Sequence, residues 1–297
     1  MRADFSLTSN LLDAIASAKQ TQNDAVFQMS SGKRIRDLAD DPAASAQIVG
    51  LNESVSALDA FTAGGASVRS RLSAADTALS TAVQLATRAV SLGVEGATGT
   101  ASSADRGAIS SELESIHDQL LSLANSQVNG RYLFSGEADQ TPAFQPTNGT
   151  VTYQGSASVA GYEISPGVTI PGGAAGSALF GANGSNIFDA ISGLAAAFRA
   201  NTTSQSSQSA VENSLQQLIQ QRVVYGSAMT AIDNSTSANT AGRQSASDQA
   251  SKLESADMAS AAAKLSQAQL VQSAASAAFS RVTGMSLFDY MGPTSNP

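Results

Sequence analysis

Apolar residues near both ends of this chain recur at alternating spacings of four and three, and this repeat limits what the chain can fold into. Such heptad spacing places its members along one side of an α-helix, where they pack against another helix. Each repeat includes one glutamine, Gln22 or Gln272, which either fixes the register of a helix pair or lies at an exposed edge. A neighbouring C-terminal stripe through Leu270 and Ala274 fits nearly as well because alanine is so frequent there. The N-terminal members are Leu11, Ile15, Ala18, Gln22, Ala25 and Met29, and the C-terminal members are Ala261, Leu265, Ala268, Gln272, Ala275, Phe279 and Val282.

The side chains available to fill a helical core are mostly small. Hydrophobic residues make up 42% of the 297 residues, but aromatic residues make up only 5% and tryptophan is absent. Alanine and serine dominate from residue 204 onward. Helices of such residues bury little apolar area, so we expect them to gain stability mainly by packing against other helices.

Local signals divide the first part of the chain into helices joined by short connectors. Asp41 can cap a helix whose first position is Pro42, where the missing N–H leaves no bond unmade. This helix is expected to extend to about residue 92, with Gly64–Gly65 as a candidate interruption. A further helix is expected over residues 103–128, ended by Asn129–Gly130.

The composition changes between residues 131 and 185, where glycine, proline and threonine become frequent. Residues 151–153, 162–164 and 168–170 are typical of short strands, and Asn148–Gly149 predicts a hairpin turn just before the first of them. The sequence therefore predicts a small β-rich insertion between two helical parts.

Helical patterns return after the insertion. Asn186 is a suitable cap for a helix over residues 187–200, and a heptad repeat follows from Val211 to Ile232. Residues 234–251 are polar and form either an exposed helix or a loop. Together the patterns predict a mainly α protein, an elongated helical bundle with paired N- and C-terminal coiled-coil helices and a small β-rich insertion. The predicted segments are an N-terminal assembly helix and turn (1–40), two halves of a helical rod (41–130 and 186–252), an outer β-rich insertion (131–185) and a C-terminal assembly helix (253–297).

The residue inventory argues against several classes of function. There is no cysteine and a single histidine, His117, so a disulfide framework, a thiolate metal site and a multi-histidine site are excluded. No phosphate-binding glycine loop and no EF-hand loop occurs, and we expect no enzymatic activity and no cofactor. The net charge is −8 without a basic patch, which disfavours nucleic acid. We expect no membrane span and, since residues 1–20 lack an apolar core, no cleavable secretory signal.

Six segments are distinctive: Ser-Ser-Gly-Lys-Arg-Ile (30–35), Asp-Asp-Pro-Ala (40–43), Asn-Gly-Arg-Tyr-Leu-Phe-Ser-Gly (129–136), Arg-Val-Val-Tyr-Gly (222–226), Leu-Glu-Ser-Ala-Asp (253–257) and Val-Thr-Gly-Met-Ser-Leu-Phe-Asp-Tyr-Met (282–291). These segments resemble the family of bacterial flagellins and their relatives. The C-terminal Ser-Leu-Phe-Asp-Tyr motif at residues 286–290 favours the junction between flagellar hook and filament over the filament itself. The interior of the insertion, residues 140–185, and the tail after residue 291 match no pattern of the family.

The resemblance implies a secreted structural adaptor of the bacterial flagellum that joins hook to filament and gives flagellin a surface on which to polymerise. It also implies export of the unfolded chain through the flagellar type III channel. The implied partners are further copies of this chain in a ring or tube, the other hook-associated junction protein, flagellin and a cytoplasmic export chaperone. The implied assembly contacts are Leu11, Ile15, Met29, Leu265, Phe279 and Val282, and the family-signature turn contains Gly32, Lys33, Arg34, Asp40, Asp41 and Pro42.

Two other functions fit parts of the sequence. A flagellin that forms the filament shares the N-terminal signature. A secreted hydrolase or adhesin on a similar helical scaffold would need a catalytic constellation or a binding cleft within residues 131–185, and the sequence of that segment contains no such signal.

Overall fold

The computed structural model describes residues 2–37, 39–147 and 149–290, and it describes side chains only within residues 9–281 of these ranges. The chain divides into two compact units, unit 1 from the segments up to residue 55 and from residue 244 onward, and unit 2 from residues 56–243. The helices are α1 (Arg2–Ser31), α2 (Pro42–Ala97), α3 (Ser103–Ala124), α4 (Gly176–Phe180), α5 (Ile187–Arg199), α6 (Gln205–Glu254) and α7 (Met258–Tyr290). The strands are β1 (Gln127–Val128), β2 (Arg131–Tyr132), β3 (Phe144–Thr147), β4 (Thr150–Tyr153), β5 (Gly161–Ser165), β6 (Val168–Pro171), β7 (Gly181–Ala182) and β8 (Ser185–Asn186).

The helical parts of the fold confirm the mainly α prediction, but α2 and α3 differ in extent from the expected helices. α2 continues without a break through Gly64–Gly65 and ends at Ala97, five residues beyond the expected position. Gly65 is buried, and a Cβ at that position would lie 3.5 Å from Cγ2 of Ile232, which is ordinary van der Waals contact. Residues 234–251 are helical as part of α6, which settles the choice between helix and loop.

The expected helix over residues 103–128 is too long. α3 ends at Ala124, and residues 127–132 form the β1–β2 hairpin instead. Asn129 and Gly130 occupy its turn with φ angles of 53° and 75°, the left-handed pair that a two-residue hairpin requires. The Asn-Gly signal is therefore a hairpin turn rather than a helix end.

The β insertion is confirmed, and within the described ranges it consists of four separate two-stranded antiparallel hairpins rather than one sheet. The three predicted strands lie within β4, β5 and β6. β3 contains a proline and two polar residues beside Phe144, and β7 and β8 have two residues each, so strand propensity alone does not identify them. Gly149 lies in the predicted turn with φ 83°, whereas Asn148 lies outside the described residues.

The core of unit 2 is built around aromatic side chains of the insertion and α5. Phe188 is fully buried between Phe144 and Phe180, with ring centroids 5.1 Å and 5.9 Å away. Asn186 caps α5 as expected, because its side-chain oxygen accepts a hydrogen bond of 2.8 Å from the N–H of Asp189. α3 packs against α5, and its buried apolar residues include Ile109, Leu113, Ile116 and Leu120.

Within the ranges described, every helix is too short or too polar to cross a membrane.

Candidate assembly interface

The terminal helices α1 and α7 form an antiparallel pair within unit 1. They pack against each other, and the end of α1 meets the beginning of α7, where the N–H of Ala256 donates to the carbonyl of Gly32 at 2.9 Å. This arrangement confirms the predicted pairing of the two chain ends.

The inner face of the pair is an alanine seam, defined as Ala18 and Ala25 of α1 with Ala261, Ala268 and Ala275 of α7. All five are buried, and they belong to the two predicted repeats. Leu270 and Ala274, which carry the competing stripe, are exposed. The structure therefore selects the stripe that contains Leu265 and Phe279. Small side chains allow two helices to approach closely, but they bury little apolar area per contact.

The six residues expected to make assembly contacts occupy different environments. Leu11, Ile15, Leu265 and Phe279 are half-buried along the edges of the alanine seam, and Met29 is exposed. The side chain of Val282 lies outside the described part of the chain. Their role in contacts between subunits stays a prediction.

The outer face of the pair carries apolar side chains that lie outside the repeats selected by the structure. Leu12 and Val26 of α1 are 53% and 49% exposed, and Leu270 and Val271 of α7 are 69% and 40% exposed. Because they lie outside the heptad positions, only the choice of stripe in the folded pair assigns them to the surface. A helix pair with a thin seam and apolar residues outside is suited to burial against further helices.

A second feature of unit 1 is the connector clasp, defined as residues 32–41 between α1 and α2 together with residues 253–257 between α6 and α7. Residues 33 and 255 form an antiparallel bridge. The N–H of Arg34 donates to the carbonyl of Glu254 at 2.7 Å, and the bond between Gly32 and Ala256 completes the bridge. Gly32 has φ 69°, the left-handed conformation that ends a helix and favours glycine.

Side chains of the signature turn hold the clasp together. The Lys33 ammonium lies 2.7 Å from the Glu254 carboxylate. The Arg34 guanidinium donates to the carboxylate of Asp41 at 3.0 Å and to the carbonyl of Leu253 at 3.2 Å. Each of these ion pairs is exposed and contributes little to the free energy of unfolding by itself. Together they fix the position of residues 33 and 34 against residues 253 and 254. Glu254 was not among the predicted site residues, although its charge complements that of Lys33.

The acidic residues of the clasp act on the backbone. Asp41 caps α2 by accepting a hydrogen bond from the N–H of Ala44 at 3.0 Å, and Pro42 occupies the first helical position. Asp40 accepts a hydrogen bond from the N–H of Arg36 at 2.8 Å. These backbone donors, assisted by arginine side chains, lower the pKa of both carboxyls below the ordinary value of 3.8. Asp257 accepts a hydrogen bond from the N–H of Ala259 at 2.9 Å, which caps α7.

The other resembling segments have structural roles in unit 2. Arg222 donates two hydrogen bonds to Asp76, at 2.9 Å and 3.3 Å, which ties α6 to α2. The buried Tyr225 hydroxyl accepts a hydrogen bond from the N–H of Ala174 at 2.9 Å, and burial raises its pKa to about 12. Leu133 and Phe134 of the central segment are buried beneath the hairpins.

The family model for the bacterial flagellin N-terminal helical region matches residues 5–139. The chain is 32% identical over 174 residues to flagellar hook-associated protein 3 of Escherichia coli strain K12, a segment that covers 57% of this chain and 51% of that protein. It is 34% identical over 126 residues to flagellar hook-associated protein 3 of Salmonella typhimurium, covering 41% and 39% of the two chains. The chain therefore spans about half, or less, of the length of these relatives.

Solved structures of flagellar hook-associated proteins are also similar to this chain. A protein described as a flagellar hook-associated protein from Vibrio parahaemolyticus matches with a TM-score of 0.57 and 26% identity, covering 73% of this chain and 97% of that one. Flagellar hook-associated protein 3 from Legionella pneumophila shares the fold at a TM-score of 0.64 and 14% identity, covering 69% and 98%. Residues 5–139 are thus similar to the flagellin N-terminal helical region, and the chain is similar to flagellar hook-associated protein 3 over about half of that protein's length.

Proposed function

We propose that this chain is a structural adaptor at the junction between the flagellar hook and the filament, secreted through the flagellar export channel. The observation that supports it most is the α1–α7 pair, whose thin alanine seam leaves Leu12, Val26 and Leu270 exposed. Such a pair gains the stability that it lacks when further helices cover its outer face. The flagellin family consists of structural subunits, and we propose no catalytic role.

The proposed partners follow from the relatives named flagellar hook-associated protein 3. They are further copies of this chain in a ring or tube, the other hook-associated junction protein on the hook side and flagellin on the filament side. Flagellin would polymerise on the surface that this chain provides. Before export, a cytoplasmic chaperone would cover α7, whose apolar outer face needs protection from water.

A strain that lacks this protein tests the proposal. We expect bare hooks at the cell surface and flagellin released into the medium, because export continues while the surface for polymerisation is missing. Bare hooks without any flagellin in the medium would identify the chain as the filament flagellin, the second candidate. Normal filaments would overturn the junction role.

Point variants test whether the helix pair is the assembly surface. Leu270→Glu changes an outward side chain that is 69% exposed, so α1 and α7 should stay paired while incorporation into flagella is lost. Ile15→Glu and Leu265→Glu place charge beside the alanine seam and should block incorporation as well, with unit 2 still folded. Ser17→Glu, at an exposed polar position of α1, is the matched control and should assemble normally. Normal incorporation of all three apolar variants would contradict the proposal.

A further inference from the structure

Unit 2 contains a cleft of about 410 Å³ between α2 and two of the hairpins. Arg71 of α2, Arg131 of β2 and Tyr162 of β5 line it together with the turn residue Asn129. The cleft lies within a single compact unit, away from the helix pair and the connector clasp of unit 1 along the chain.

Arg71 has more hydrogen-bonding capacity than its surroundings satisfy. Its guanidinium carries five N–H donors. One nitrogen, Nη2, donates to the carbonyl of Tyr132 at 3.3 Å, whereas Nη1 lies 3.9 Å from Asp139, beyond hydrogen-bond distance. Nε is buried, and no group among the described residues accepts its hydrogen bond. Because Nε is shielded from solvent, water does not compensate its missing hydrogen bond, whereas the side chain as a whole is 23% exposed.

Arg69, two positions earlier on the same helix, is an arginine of this unit whose guanidinium is fully paired with a carboxylate. Its guanidinium donates to both oxygens of Asp233, at 2.7 Å and 3.1 Å. This forked pairing with a carboxylate is the geometry that arginine favours. The contrast identifies Arg71 as an arginine without a hydrogen-bonded carboxylate, since its only described ion pair, with Asp139, is 3.9 Å long.

The nearest carboxylate belongs to Asp139, and it is already engaged. Arg131 donates to it at 2.7 Å, and the backbone N–H of Tyr132 donates to the backbone carbonyl of Asp139, which holds the segment in place. The Arg131 guanidinium lowers the pKa of the Asp139 carboxyl, which therefore stays ionised. Two guanidinium groups thus share one carboxylate, and the cleft retains an excess positive charge.

We propose that this cleft binds a carboxylate carried on a short aliphatic stem, with Arg71 as its anchor. Val68, Val128, Leu133 and the ring of Tyr162 line the cleft beside the guanidinium groups and provide apolar contact for the stem. An acidic side chain of a second copy of this chain has this chemistry, and the chain carries 24 acidic against 16 basic residues. That source rests on the proposed function, whereas the carboxylate site itself does not.

Titration of the full-length chain with glutarate tests the site. We expect a saturable shift of the Arg71 side-chain N–H signal in ¹⁵N NMR spectra, with a dissociation constant in about the millimolar range. Arg71→Lys keeps the charge but removes the fork, and binding should weaken about tenfold. Arg69→Lys is the matched control and should bind glutarate as the parent chain does. A linear, unsaturated response, equal binding by Arg71→Lys, or tighter binding of inorganic phosphate than of glutarate would overturn the proposal.

Carbodiimide coupling of the concentrated Arg71→Lys chain identifies the source of the carboxylate. The introduced amine should form an amide with an aspartate or glutamate of another copy. Mass spectrometry of the resulting dimer then identifies the two cross-linked peptides. The Arg69→Lys chain should give no such dimer. Coupling only to Asp139 of the same chain would overturn the second-copy source but leave the NMR result intact. Loss of glutarate binding in a chain that still forms normal junctions would in turn leave the proposed function intact.

Discussion

The two units of this protein have cores that are packed with different kinds of side chain. Unit 2 buries Phe134, Phe144, Phe180 and Phe188 in contact with one another, with ring centroids 5.1–5.9 Å apart. In unit 1 the seam between α1 and α7 is made of alanine, and larger apolar side chains such as Leu270 lie on the surface. Because buried area sets the hydrophobic contribution, we expect unit 2 to be stable by itself, and the proposed function has neighbouring subunits complete the helix pair.

The largest expected effect is the loss of a ring from the core of unit 2. Phe188→Ala should lower the free energy of unfolding by about 3–5 kcal/mol, since Phe188 is fully buried and the rings around it leave a cavity. Near-ultraviolet circular dichroism reports unit 2, because four of the five tyrosines lie between residues 132 and 225. The matched change in unit 1, Ile15→Ala, should cost about 1–2 kcal/mol because Ile15 is half-buried. Equal losses would end the distinction between the units.

The next effect concerns backbone that packs against backbone in unit 2. Gly136 has φ 61°, and a Cβ there would lie 2.6 Å from the carbonyl oxygen of Ser158. Gly136→Ala should therefore lower the free energy of unfolding by about 2–4 kcal/mol, from left-handed strain plus steric overlap. Gly130→Ala is the control, since its φ of 75° carries the same strain but no atom lies within 4 Å of the added Cβ. Equal denaturation midpoints for the two variants would show that the backbone near Ser158 moves away from the added Cβ at little cost.

A smaller effect is expected from enlarging the alanine seam. Ala25 is 1% exposed, so Ala25→Leu forces α1 away from α7 and should weaken the pair by about 1–3 kcal/mol. Hydrogen exchange should accelerate in α1 and α7 and remain unchanged in unit 2. Ala274→Leu, at an exposed position of α7, should leave exchange unaltered. The opposite ranking of the two variants would mean that the stripe through Leu270 faces inward after all.

The smallest effect is the response of the connector clasp to acid. Asp40 and Asp41 have pKa values below 3.8 in the folded chain, so their contribution is complete above that value and is lost as the pH falls through the folded pKa. Exchange protection of residues 32–41 should therefore decline below about pH 3.8. The doubly substituted chain, Asp40→Asn with Asp41→Asn, keeps a capping side chain at the start of α2 but cannot titrate. Its exchange should be nearly independent of pH in this range, and an unchanged acid profile would assign the response to other groups.

Local sequence signals predicted those parts of the fold that short-range physics controls. The heptad repeats, the caps at Asp41 and Asn186, and the hairpin turn at Gly149 need only neighbouring residues, and the structure contains all of them. The extent of α3 was wrong because Asn129–Gly130 can end a helix or turn a hairpin, and only the partner strand decides between these outcomes.

By itself the sequence determined that this chain is mainly helical, that its ends pair and that a β insertion interrupts the helices, because hydrophobic periodicity and turn chemistry are encoded locally. Tertiary structure decided which of two alanine stripes faces inward, since side chains of equal size give no preference until α1 and α7 meet. It also decided that Lys33 and Glu254 form one clasp and that Arg71 has no hydrogen-bonded carboxylate. Such contacts join residues far apart in the chain, and no local pattern records the distance between them.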